Sequence, residues 1–437
     1  MKKFAIAAIA VICAASVIGC NRSGSSKTSI SYEHEPGSDD VIITDETTSD
    51  AGRTQQSETQ QSETQESETQ EATTAYVEPA TVNLVMVGDM LMHGSASTPA
   101  LQADGSYNYD YLFANVKDDI IAADVAVVNQ EVIFAGNELG NYGWPNFTVR
   151  TEQGDALVNN GFDVVLQATN HTTDWAEAGI INDLNYWKNN HPEITLLGIH
   201  ESQEAADNIT IYESNGVKIA MFNYTYGVNG HVPDDKKYLV DLMNEETMQS
   251  IAEDLALAKE MADFVVVFPH WGTEYSLTAT QDQRNWAQFF ADGGADLIIG
   301  AHPHVIEPVE WVTSADGRQV LCYYSLGNFV SIQYHNIAML GGMAKVEITK
   351  DSEGTRISDY DMDFLVTHYV SGRSVVTTYF LDDYTDELAA NHAILVEPYG
   401  GDAAAVANYH AWNDPYPFCV ATLKSLAKTV CPDLAEY

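Results

Sequence analysis

Positive charge is what this 437-residue chain has least of: 20 lysines and arginines stand against 63 aspartates and glutamates. The imbalance persists when the acidic tail at 21–80 is left out. Such a surface argues against nucleic acid and against adsorption to anionic membranes, because both draw on clustered cations. It suits divalent cations instead. Cysteine is also scarce, with five in all and none at a metal-type spacing. Cys322, Cys419 and Cys431 remain once the first twenty residues are set aside. A Cys419–Cys431 disulfide is one arrangement and three thiols the other. No apolar run after residue 20 is long enough to span a bilayer. Residues 21–80 are almost free of aromatics and cannot build a core.

What is present begins with a leader-like segment. Lys2 and Lys3 precede the short apolar stretch Phe4 to Ile18, which closes on Val17-Ile18-Gly19-Cys20. This resembles a bacterial lipobox, with Cys20 as the lipidated residue. Residues 1–20 are therefore expected to be a lipoprotein signal, and the remainder an extracytoplasmic protein anchored by lipid at the bacterial surface. Residues 21–80 read as a disordered Ser/Thr/Glu/Gln-rich linker. A pentad repeats there from Ser57, Ser62 and Ser67, and its natural role is a spacer.

From Thr81 the pattern changes to short apolar strands alternating with helical stretches. Strands are expected at Val82–Val87, Val125–Val128, Val164–Leu166, Thr195–Leu197, Val217–Phe222, Phe264–Phe268 and Leu297–Ile299. Helices are expected near 111–122, 152–160, 175–190, 245–262 and 283–293. This alternation predicts an α/β fold with parallel strand pairs. Later strands, at Val305–Val312, Gln319–Tyr324 and Met343–Ile348, are spaced for antiparallel pairing and a second sheet. The expected divisions are a domain at 81–350 and a C-terminal extension at 351–437, with short strands at Asp361–Val370 and Ser374–Leu381 and helical pieces, that packs on it or continues it.

Candidate ligands recur where strands end, the usual place for sites in α/β proteins. His302 and His304 follow Leu297–Ile299, and positions i and i+2 of an extended segment point the same way. Asp89, Glu131, Asn170 and His270 close other strands. Carboxylate, amide and imidazole suit Mn, Fe or Zn, and these six residues could hold one or two divalent ions. His171, beside Asn170, is placed to act as a general acid. Arg150, one of few cations, could fork onto a phosphate or carboxylate or form a structural salt bridge. Asn328, after Gly327, reads more as a turn residue than as a ligand.

The ordered motifs resemble the CapA family of poly-γ-glutamate capsule synthesis proteins, which is similar to the calcineurin-like metallophosphoesterases. They are Gly88-Asp89, Asn129-x-Glu131, Phe147-Thr-Val-Arg150, Asn170-His-x-x-Asp174, Tyr224-Thr-Tyr226, His270-Trp-Gly-x-Glu274, Gly300-x-His-Pro-His-Val305 and Tyr324-Ser-Leu-Gly-Asn-Phe-Val330. The resemblance spans about 82–333. It implies a four-layer α/β/β/α sandwich and a dinuclear metal site. The implied metal-ligand positions fall on Asp89, Glu131, Asn170, His270, His302 and His304, and the catalytic-acid position on His171. Asp174, Glu274 and Asn328 enter as substrate or supporting positions. The phosphoesterase pattern has a histidine two residues after its first aspartate. Leu91 stands there in this chain, which leaves His93 as the nearest imidazole for a first metal. Glu131 replaces a bridging aspartate.

Three readings follow. One is action on or with poly-γ-glutamate or its synthesis complex. Another is an extracellular metallophosphoesterase with an unrelated substrate. The third is a non-catalytic scaffold on a degenerate site.

Overall fold

The computed structural model describes residues 78–396, 413 and 415–437. They belong to the second of the two units into which the chain divides, Thr73–Tyr437. The expected leader, and the expected linker up to residue 77, lie outside the described residues. No helix among the described residues is long and apolar enough to cross a membrane.

Two sheets form the centre. The first contains β1 (Ala80–Met90), β2 (Val125–Asn129), β3 (Val164–Leu166) and β4 (Thr195–Leu197), all parallel. The second contains β5 (Thr210–Ser214), β6 (Val217–Thr225), β7 (Phe264–His270), β8 (Leu297–Ile299), β9 (Val309–Thr313) and β10 (Gln319–Tyr323). Its order is β5-β6-β7-β8-β10-β9, parallel at the centre with antiparallel edges. Four further strands complete the first sheet: β11 (Asn328–Val330), β12 (Leu340–Asp351), β13 (Gly354–Tyr369) and β14 (Val376–Phe380). Its order is β14-β13-β12-β1-β2-β3-β4, with β11 paired parallel to β1.

The central strands are valine-rich and buried along their whole length, as parallel strands covered on both faces require. Alternation sorts the second sheet. Ile219, Met221, Val266, Phe268, Leu297 and Ile299 join the core shared with the first sheet. Ala220, Phe222, Val265, Val267 and Ile298 face outward onto two helices, α5 (Met248–Met261) and α6 (Gln281–Gly293), through Leu255, Ala258, Ala287 and Phe290. On the first sheet, α2 (Glu152–Asn159) and α3 (Ala176–Asn190) supply Leu157, Tyr186 and Trp187 to the core. The result is the four-layer α/β/β/α sandwich. Beyond residue 351, β13 and β14 continue the first sheet, and a helix at Val420–Val430 adds Leu423, Leu426 and Val430 to the same core.

Several expected elements differ. The helix expected at 111–122 is a short 3-10 turn, Asp110–Leu112, followed by α1 (Lys117–Ala122). Asn115 lies at the break and its amide donates to Thr378 O of β14 at 3.0 Å. A side chain bonding elsewhere in this way competes with helix continuation. The strand expected at Val305–Val312 starts only at Val309, after Pro308, which has no N–H to give a ladder. β5 and β11 were not expected. Cys322, Cys419 and Cys431 are free. Cys419 and Cys431 cap opposite ends of the Val420–Val430 helix. The 11 residues of that helix separate them by about 18 Å, far beyond disulfide reach.

Candidate metal centre

The C-terminal ends of both sheets meet at one edge. β1 delivers Asp89 there because Gly88 lets β11 come close: a Cβ on Gly88 would lie 1.9 Å from Gly327 O. Asp89 N donates to that carbonyl at 2.8 Å. β2 leads to Glu131, and β3 to Asn170 and His171. Thr169 ties these two loops together, its hydroxyl donating to Glu131 O at 3.0 Å and accepting from His171 N at 3.1 Å. From the second sheet, β7 ends on His270, and β8 leads through Gly300 to His302 and His304. The first sheet thus supplies carboxylates and an amide, and the second supplies imidazoles.

His302 and His304 do converge, but not by strand alternation. Their φ angles are 101° and 60°, so the backbone turns through left-handed conformations at both. Side chains tolerate that region at a cost, and it concentrates at functional sites. The backbone N–H of His302 reaches Asp89 Oδ1 at 3.1 Å, and His304 Nδ1 lies 3.0 Å from Asp89 Oδ2.

Two groups of possible ligand atoms result, each within 4.8 Å: Glu131, His270 and His302, and Asp89, Glu131 and His304. Glu131 belongs to both. Its Oε1 lies 3.9 Å from His270 Nε2 and 3.8 Å from His304 Nε2. Asn170 Oδ1 is 3.0 Å from His270 Nε2, beside the first group. All six residues are buried.

The residues fit a divalent cation. Both carboxylate oxygens of Glu131 and Nδ1 of His302 are buried without a hydrogen-bond partner. A buried carboxylate with no partner is costly unless a cation offsets it. Burial pushes the Glu131 pKa well up, with Asp89 adding to the rise. Burial and neighbouring imidazoles hold His270 and His302 well below the usual histidine range, in the neutral form that ligates metals. Burial also pulls on His304, but Glu131 and Asp89 outweigh it and raise its pKa to about 9. A cation seated there would displace that proton.

A cavity of about 1060 Å³ opens beside the cluster, with Asn170, His171 and His304 in its wall. His171 Nδ1 is 2.7 Å from Asp174 Oδ2, which also accepts from Phe147 N at 2.6 Å. Asp174 is therefore a support that fixes the His171 ring. Glu274 lines the cavity and is exposed. His93 lines it too, but belongs to neither ligand group. Its Nδ1 faces Leu91 O at 3.2 Å, its ring packs edge-on against Phe147, and burial lowers its pKa to about 4.

Two expected residues do not line the cavity. Arg150 does not reach the cavity. It pairs with Glu152 at 2.7 Å and sits over the Tyr107 ring, the structural salt bridge of the two alternatives. Asn328 is in a strand rather than a turn. It backs the site, donating to Gln333 Oε1 at 2.8 Å, Ala338 O at 3.0 Å and His304 O at 3.3 Å.

Other residues were assigned no role from the sequence. Asn129 donates to Asp89 Oδ1 at 2.8 Å and lies 3.4 Å from His270 Nδ1, linking the two sheets. Its position at the end of β2, two before Glu131, was the available signal. Tyr226 packs its ring 4.8 Å from His302. His335, which lacks ligand-like neighbours in sequence, lines the cavity against Tyr275.

A four-layer sandwich with carboxylates and imidazoles gathered at the shared strand ends defines a class of α/β protein whose site could hold a divalent ion. Within that class, the chain belongs to the family of bacterial capsule synthesis proteins, PGA_cap, whose pattern matches residues 83–333. It is similar to the capsule biosynthesis protein CapA of Bacillus anthracis, 28% identical over 58% of this chain and 60% of that one. The chain thus spans less than two thirds of that relative. The PGA biosynthesis protein CapA of Bacillus subtilis (strain 168) is 26% identical over 62% of this chain and 76% of that protein. Among solved structures, the calcineurin-like phosphoesterase YfkN from Bacillus subtilis is 13% identical, with a TM-score of 0.34, and is matched over 80% of this chain and 100% of that one.

Proposed function

We propose that this protein acts at the bacterial surface in the synthesis, export or anchoring of a poly-γ-glutamate capsule, through a hydrolase-like centre holding one or two divalent ions. Membership of the capsule synthesis family supports the polymer. The observation that carries the centre is Glu131, a buried carboxylate with unpartnered oxygens shared by two ligand groups. Asp89, Glu131, Asn170, His270, His302 and His304 would hold the metal. A divalent ion there supplies Lewis-acid stabilisation of negative charge developing on a substrate. His171 gives the leaving group its proton. Asp174 accepts from Nδ1–H and would balance the charge of the ring when both its nitrogens are protonated, so the proton given up is the one on Nε2. Lipid on Cys20 would anchor the chain.

Elemental analysis tests the centre, on wild type and on His302→Ala, as purified and after refolding with Mn or Zn. Wild type should retain metal and the variant should lose most of it. A metal-free wild type under both conditions would overturn the centre. The polymer is tested by incubating metal-loaded protein with γ-linked glutamate oligomers and with a panel of phosphoesters. Turnover of phosphoesters alone would transfer the assignment to an unrelated extracellular phosphoesterase. Mass spectrometry of the membrane form checks the anchor, and an unmodified Cys20 would remove it.

A further inference from the structure

The cavity beside the metal cluster has walls that polyglutamate does not explain. Among the described residues, no lysine or arginine lines it, and the exposed Glu274 adds negative charge at its wall. A run of γ-linked glutamates carries a free carboxylate on every residue. Among the described residues, such a run would meet no fixed cation there beyond the histidines and whatever metal the cluster holds.

The wall offers aromatic faces and amides instead. Trp144 lines the cavity and is 82% exposed, the most exposed large hydrophobic side chain among the described residues. Its loop is held on both sides. Tyr142 N donates to Thr148 O at 2.8 Å, Asn146 Nδ2 donates to Asp174 O at 2.8 Å, and Trp175 Nε1 donates to Phe147 O at 2.9 Å. A large ring is thus presented to solvent by backbone fixed to the segment that carries His171. Exposing an indole forfeits its burial free energy, and this one, held on its loop, lines the same cavity as His171, so it offers a broad contact face to a ligand there. Asn229 and the Asn146 side-chain carbonyl oxygen add amide groups around the same space, while the Gln333 amide there is held between Asn328 and Tyr275.

One broad exposed ring with several amides is the chemistry that binds a sugar. The C–H face of a pyranose packs on the indole, and the amides bond its edge hydroxyls. A nucleobase would be better matched by two facing rings, and Trp144 has no ring partner among the aromatic contacts of the described residues. We propose that this cavity binds a neutral sugar ring of a glycan on Trp144, so that the bond presented to the metal centre is attached to a sugar. This rests on the capsule reading above and narrows it: the centre would work where polymer or phosphoester meets carbohydrate, and not within a run of glutamates.

The test is calorimetric titration of the full-length, metal-supplemented protein with an N-acetylglucosamine tetramer, a glucose tetramer, a γ-glutamate tetramer and adenosine monophosphate. At least one neutral oligosaccharide should bind. Trp144→Ala should weaken it about tenfold or more, with thermal midpoint and metal content unchanged, since so exposed a side chain contributes little to folding. Trp144→Phe, which keeps a ring, should recover most of the affinity. The inference is overturned if neither oligosaccharide binds, if Trp144→Ala leaves their affinity unchanged, or if only the nucleotide depends on Trp144. Metal content separates the two levels of argument. Metal-loaded protein that handles γ-glutamate but binds no sugar refutes this inference alone. A protein that never holds metal refutes the centre, whatever it binds at Trp144.

Discussion

Glu131 shows how one side chain can favour two opposite outcomes. Its carboxylate is buried, unpartnered and pushed toward neutrality by its surroundings, so in metal-free protein it opposes folding. With metal it becomes the shared ligand. Glu131→Gln should therefore be at least as stable as wild type in chelator at pH 8, and clearly less stable than wild type in excess Mn or Zn. Thermal melts of both proteins in both conditions check this, and the same ranking throughout would deny Glu131 a role as ligand. His171 differs, because its Nδ1 is engaged by Asp174 and it belongs to neither ligand group. His171→Ala should keep its metal while turnover falls roughly 10²–10⁴-fold. The loss should shrink for substrates with good leaving groups, and loss of metal would make His171 a ligand. These residues were legible in the sequence because each lies within five residues of the C-terminal end of an apolar strand. Arg150 was not, since an arginine's partner cannot be read from spacing, and Glu152 two residues on takes it. Nor could the sequence disclose that His302 and His304 converge by left-handed backbone.

At the scale of elements, the site depends on β11 lying against β1. That contact needs Gly88, where any Cβ would collide with Gly327 O. Gly88→Ala should destabilise the protein by about 3 kcal/mol and reduce metal content, because Asp89 is the next residue. Denaturant melts with metal analysis measure both, and an unaffected metal content would uncouple β11 from the site. The apolar parallel strands were readable as valine-rich runs bounded by polar residues. β5 was not read, although its signal was present: Asn215-Gly216 joins it to β6, and both residues have positive φ (51° and 78°), as a two-residue hairpin turn requires. The first half of β13 alternates between exposed and half-buried positions. It offers no apolar run, so only the buried end from Asp361 stood out.

Across the whole molecule, stability should also depend on pH through a buried carboxylate that belongs to neither ligand group. Glu307 is buried with Gln283 as its side-chain partner, and burial raises its pKa from 4.5 to about 8. The unfolded chain releases this proton first. The stabilising contribution is therefore complete below about pH 4.5 and falls by up to ~1.4 kcal/mol per pH unit until the folded group ionises near 8. Glu307→Gln should melt close to wild type at pH 5 and above it at pH 9, and parallel curves would refute the assignment. Removing metal should lower stability too, by the ~2.7 kcal/mol expected for a ligand at a hundredfold its dissociation constant, and so lower the melting point; an unchanged midpoint in chelator would argue against a bound ion. The six proposed ligands come half from one sheet and half from the other, so an ion among them fastens the two layers at their open edge. Durability then follows metal supply. Where metal is scarce, the strand ends part more often and expose themselves to proteases, so the protein would be cleared from surroundings in which its centre could not work.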